Sequence, residues 1–122
     1  MSAYVDQVYR EKGGVRWLLT DEERKHIVEL LDTNESTVSH LKGTNMTIAR
    51  MTCVKCGKRS GLDDLVHNAV EGGIHNKEFM VDVLVNGPKG ASPLHHLDCS
   101  RCSERFKQMC TWHNDEDCGS WD

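Results

Sequence analysis

Two short runs constrain this chain more than anything else in it: Cys53-Val54-Lys55-Cys56 and Cys99-Ser100-Arg101-Cys102, with 42 residues between them. A Cys-x-x-Cys turn holds two thiolates close enough to share one ion. Two such turns complete a tetrahedron around zinc, with Zn–S bonds of about 2.3 Å. Any fold must therefore bring the two turns together and close the intervening loop. The remaining composition explains why a metal would matter: 38% of the residues are hydrophobic and only 6% aromatic, a thin core for 122 residues. A structural zinc adds folding free energy on the order of 10 kcal/mol. Zinc is the expected cofactor, one ion at Cys53, Cys56, Cys99 and Cys102. The alternative is a set of free buried thiols. A thioredoxin-like redox role would need one pair in a βαβ setting, which the sequence lacks.

A second cluster follows: Cys110-x-x-His113, then Cys118. With a fourth ligand from His67, His95 or His96 it would hold a second zinc. Cross-braced pairing of Cys53 and Cys56 with Cys110 and His113 is an alternative, and a frayed tail with incidental thiols is another. Trp112 and Trp121 point to packing of this tail on the body or on a partner.

The formal net charge is −4, and residues 110–122 account for it, with Asp115, Glu116, Asp117 and Asp122 and no cation. The body is nearly neutral, which argues against a broad non-specific nucleic-acid binder but leaves room for a local phosphate-binding face. Six cations flank the cysteine pairs: Lys55, Lys58, Arg59, Arg101, Arg105 and Lys107. Four thiolates and Zn²⁺ leave a charge of about −2, so these cations either offset the centre or form a phosphate-contacting patch. The opening MSAYVDQVYREKGG lacks a signal-peptide apolar run, and no stretch has the length of a membrane span, so a cytoplasmic location without membrane contact is expected.

The chain divides into a helical region at 1–50, a zinc-binding module at 51–109 and an acidic Cys/His/Trp tail at 110–122. Ser2 caps an expected short helix bearing Tyr4, Val5, Val8 and Tyr9. Thr20 and Glu23 form a capping box ahead of Ile27, Val28, Leu30 and Leu31. A further short helix is expected from Ser36 to Gly43. MTIARMT is strand-prone and leads into Cys53. Ser60 and Asp63 cap a helix whose buried face is Leu62, Leu65, Val66, Ala69 and Val70, stopped by Gly72-Gly73. EFMVDVLV reads as a strand, NGPKG as a turn and SPLHHL as the returning strand. CSERFKQM reads as a helix starting at the second cysteine pair, where the dipole favours thiolates.

Knuckle, β-hairpin and helix start, in that order, resemble a treble-clef zinc finger over residues 50–109. The expected fold is therefore α+β, a small zinc-stapled treble clef with a helical N-terminal region. VNGPKGASPLHHLDCSRC is also similar to the hairpin and second cysteine pair of phage recombination endonuclease VII and its His-Me finger relatives. The match covers Cys53, Cys56, Asn86 to Lys89, Cys99 and Cys102. That resemblance implies a metal-dependent nuclease using residues such as His75, Asn76, His95 and His96. The chain departs from it at Ser103, where the family has Asn, and in the acid-His run, reduced here to Glu71, His75 and Asn76.

No P-loop, dinucleotide fingerprint or nucleophile elbow is present. The sequence thus points to a small zinc-binding recognition or regulatory protein contacting nucleic acid, a nucleic-acid enzyme, or both. The alternatives are the nuclease and a purely protein-binding inhibitor or adaptor, and a protein partner is expected in either binding reading. Lys55, Lys58, Arg59, Arg101, Arg105, Lys107, Trp112 and Trp121 are the candidate contact residues.

Overall fold

The computed structural model describes residues 6–9, 14–41, 43–86, 94 and 96–113. It is a mixed α and β chain, in keeping with the α+β expectation. Val15, Trp17 and Leu19 are buried while Arg16 and Leu18 are partly exposed, the period-2 alternation of a half-buried strand. That strand, β2 (Gly14–Leu18), pairs antiparallel with β1 (Asp6–Tyr9), Asp6 opposite Trp17. On its other edge it pairs with β3 (Gly43–Met46), Val15 opposite Met46, and β3 in turn takes β4 (Trp112–His113). The sheet order is β1-β2-β3-β4. Val8 and Tyr9 thus lie in a strand rather than the expected N-terminal helix, because the backbone of β2 offers them a partner. The strand expected from MTIARMT falls instead on Gly43–Met46, between two pairing neighbours.

Helix α1 (Asp21–Leu31) starts at the capping box read from the sequence: Thr20 Oγ1 accepts from Glu23 N at 3.2 Å, and Glu23 Oε1 accepts from Thr20 N at 3.3 Å. Ile27 and Leu31 are buried on one face. Helix α2 (Glu35–Val38) is capped by Asn34, whose Oδ1 accepts from Thr37 N at 3.2 Å, rather than by Ser36. Helix α3 (Leu62–Glu71) buries Leu62, Leu65 and Val66 and ends at Gly72, with Gly73 at φ 73°. Its cap is Gly61; Ser60 instead accepts the Met51 N–H at 2.8 Å.

Residues 77–86 form helix α4 (Lys77–Asn86), not a strand. Met80, Val83 and Leu84 are buried at helical spacing, and Asn76 Oδ1 caps the helix by accepting from Phe79 N at 2.7 Å. The β-branched content of this stretch is overridden by packing of one face. Residues 99–106 carry no helix, and Leu97 lies in no strand. The described residues between and after the cysteine pairs therefore differ from the hairpin and helix expected of a treble clef. The turn at 87–93 lies outside the described residues. One core cluster runs from Trp17 and Ile27 through Leu62 and Leu84 to Leu97, Phe106 and Trp112.

Candidate metal centre

The sulfurs of Cys53, Cys56, Cys99 and Cys102 all lie within 4.8 Å of one another, and all four cysteines are free. Cys53 Sγ is 3.4 Å from Cys102 Sγ, and Cys56 Sγ is 3.6 Å from Cys99 Sγ. The edge of a tetrahedron with metal–sulfur bonds of about 2.3 Å is about 3.8 Å, so the four sulfurs fit a tetrahedral metal ion such as zinc. Their separations are far above the ~2.05 Å of a disulfide.

Each pair sits in its own knuckle, and the two are built alike. Cys53 N donates to Lys58 O at 2.8 Å, and Cys99 N donates to Glu104 O at 2.8 Å. Gly57 N donates to Cys53 O at 2.9 Å, and Ser103 N donates to Cys99 O at 2.8 Å. A single bridge closes each base, Thr52 with Arg59 and Asp98 with Arg105. The residue after each second cysteine is left-handed, Gly57 at φ 81° and Ser103 at φ 70°. Glycine adopts this freely, whereas serine carries a modest cost. Ser103, the departure from the endonuclease pattern, thus occupies the knuckle's turning position.

Backbone N–H groups point at sulfur: Cys56 N lies 3.5 Å from Cys53 Sγ, and Arg101 N lies 3.4 Å from Cys99 Sγ. The Cys56 N–H, aided by that of Lys55, lowers the Cys53 thiol to about 6. Burial pushes Cys99 up to about 12. Cys53 would offer a metal a ready thiolate, and Cys99 would have to release its proton to bind one.

Helix α3 locks the knuckles in place through Asp64 and Asn68, which sequence reading did not single out, and through Lys58 and Asp63, which it read as a surface cation and a helix cap. Lys58 is buried, with Nζ 3.1 Å from Asp63 Oδ1 and 2.9 Å from Asp64 Oδ2. Burial opposes its charge, but Asp64 and Asp63 together raise its pKa. The other oxygen of Asp64 accepts the Ser100 N–H of the second knuckle at 2.8 Å, and its Oδ2 accepts Gly61 N at 2.8 Å. Asn68 holds the entry to that knuckle, giving Nδ2 to Asp98 O at 2.7 Å and accepting Asp98 N at 2.9 Å.

Behind this, Glu23 accepts the Leu62 N–H at 3.1 Å and pairs with Arg50 at 3.0 Å. Burial raises the Glu23 pKa despite Arg50. Arg50 reaches Ser60 O and Leu18 O and lies 5.3 Å over the Trp17 ring. Asp63 Oδ2 also meets His26 Nδ1 at 2.8 Å. A Cβ at Gly61 would come within 2.6 Å of Glu23 Oε2, so a side chain there would displace the buried Glu23 carboxylate. The Asp63-Asp64 pair, five and six residues after Lys58, was the available sequence signal for this network.

The remaining candidates fall elsewhere. Among the described residues the four cysteines are the one metal-capable group found. Cys110 is buried in the apolar core, and burial pushes its thiol up to about 11. Trp112 is also core, 6% exposed, because β4 closes the sheet; it is not a surface contact. His67 lies on α3. Cys118, Trp121 and His95 lie outside the described residues, and His96 is exposed. Exposed His75 stacks on Phe79 at 4.1 Å, while Asn76 serves as a helix cap.

Of the six flanking cations, Lys58 is internal. Arg59 donates to Thr52 Oγ1 at 3.1 Å, and Arg105 pairs with Asp98 at 2.9 Å. Lys55, Arg101 and Lys107 are exposed, and their side chains have no hydrogen-bond or ion-pair partner among the described residues. No helix among the described residues is long and apolar enough to cross a membrane. No curated protein and no solved structure matches the chain. One family model, described as a domain of unknown function, DUF8243, matches residues 1–122, and the chain belongs to that family.

Proposed function

We propose that this chain is a small zinc-stapled recognition protein whose metal face contacts nucleic acid. Four thiolates in a tetrahedral arrangement suit zinc, the ion of this proposal. The observation that supports the reading is the pair of exposed, unpaired cations Lys55 and Arg101, one in each knuckle of a centre backed by a buried polar network. Lys58 and Arg105 already neutralise nearby acids, which leaves the unpaired cations at the knuckle tips for a partner. The chain acts by binding, not by cutting: Asn76 is committed to capping α4, and Ser103 to the turn of its knuckle.

Fluorescence anisotropy with a labelled 20-nucleotide strand and its duplex tests this, using protein of verified zinc content. The expected affinity is in the range ~10⁻⁴–10⁻⁶ M near physiological salt and falls as salt rises. No cleavage is expected with Mg²⁺ or Mn²⁺. Absence of binding at low salt, with protein partners captured from native cells whether or not nuclease is added, would instead establish the adaptor reading.

A further inference from the structure

The matched build of the two knuckles gives every residue of one a counterpart in the other. Arg59 corresponds to Arg105, and each is engaged at the base of its own knuckle, on Thr52 and Asp98. Lys58 corresponds to Glu104, and Lys58 is buried. Lys55 corresponds to Arg101: each lies between the two cysteines of its pair, each is exposed, and neither side chain has a partner among the described residues. Because all four sulfurs meet at one centre, a metal bound there would tie both knuckles, and with them both tips, to a single point. Two cations held on a rigid base lose less freedom on binding than two on a mobile loop.

We infer that Lys55 and Arg101 form a two-point clamp for the phosphodiester backbone, one phosphate to each tip, and that Lys107 is not part of it. Lys107 stands beyond the bridge that closes the second knuckle, and its counterpart position in the first is Gly61, so it lies outside the repeated pattern. This inference rests on the nucleic-acid reading above. It adds that recognition is carried by two equivalent residues, not by a diffuse patch. It also accounts for a lysine and an arginine at corresponding positions, since phosphate accepts either. Contacts of this kind position a strand without reading its sequence.

The test is the salt dependence of binding to a labelled 20-nucleotide single strand and to the corresponding duplex. Wild type, Lys55→Ala, Arg101→Ala, the double variant and Lys107→Ala are compared, each with its zinc content measured first. Two phosphate contacts give a log–log slope of about −1.4 for the single strand and about −1.8 for the duplex. Each tip variant should flatten the slope by about 0.7 or 0.9 respectively, by the same amount for either residue, and the double variant should abolish the salt dependence. Lys107→Ala should leave the slope unchanged. Equal losses at Lys107 and at the tips, or a slope that survives the double variant in zinc-loaded protein, would overturn the clamp while leaving nucleic-acid binding intact. No salt-dependent binding by the wild type would overturn both.

Discussion

Asp64→Ala probes how the metal centre depends on the helix behind it. Asp64 is fully buried, and its carboxylate serves three groups at once: Lys58 Nζ, Gly61 N and Ser100 N. Truncation leaves two backbone N–H groups without their acceptor, at about 1 kcal/mol each toward the low end of the range for buried donors. It also leaves the buried Lys58 ammonium with Asp63 as its one remaining carboxylate. Breaking a buried pair outright costs about 3–5 kcal/mol, and the retained Asp63 softens this. The expected total is about 3–5 kcal/mol, a large share of the roughly 5–15 kcal/mol that a domain has. Urea unfolding at a fixed zinc excess reads this as a lowered midpoint with an unchanged slope. Because Ser100 belongs to the second knuckle, zinc should also pass to a competing chelator at least tenfold faster. Asp64→Asn, which keeps one acceptor, should fall between wild type and Ala. A loss below about 1 kcal/mol with unchanged zinc retention would show that α3 does not hold the knuckles.

Replacing Cys53 or Cys99 by serine should remove the metal and unfold the knuckle region, seen as lost near-ultraviolet circular dichroism and lost zinc, since apo sites of this type rarely stay formed. Cys110→Ala should cost about 1–3 kcal/mol in denaturant midpoint through its lost core contacts and leave the zinc content unchanged, because its thiol sits in the apolar core. Zinc affinity should fall with falling pH. Cys99 is held protonated by burial, so binding displaces a proton; each displaced proton weakens binding about tenfold per pH unit as pH falls. Competition titrations from pH 8 to 6 measure this, and a pH-independent affinity would contradict it. Deleting residues 114–122 removes Asp115, Glu116, Asp117 and Asp122 and should tighten nucleic-acid binding, most at low salt.

The four-cysteine cluster was legible because Cys-x-x-Cys spacing is a local constraint that any fold must satisfy, and the four sulfurs do meet. The start of α1 was legible for the same reason: Thr20 and Glu23 bond each other across a single turn. Helix α3 was read, but its supports were not. Asp64 reaches Ser100 and Asn68 reaches Asp98, contacts 36 and 30 residues apart that no local pattern announces. The strand expected at 78–85 failed because three valines favour extended backbone in isolation, while Met80, Val83 and Leu84 share one buried helical face. The helix expected after Cys99 failed because the second knuckle folds back on itself: Phe106 N returns to Leu97 O at 2.9 Å, which a helix there would forbid. Strand β3, Gly-Thr-Asn-Met, has little intrinsic β preference and exists because β2 and β4 flank it.

The central claim is a single zinc held by Cys53, Cys56, Cys99 and Cys102. Zinc-edge X-ray absorption on protein purified without added metal, with elemental analysis of the same sample, tests it most directly. The account predicts one zinc per chain with a first shell of four sulfurs at about 2.3 Å. A folded, metal-free chain, or a first shell that includes nitrogen or oxygen, would contradict it.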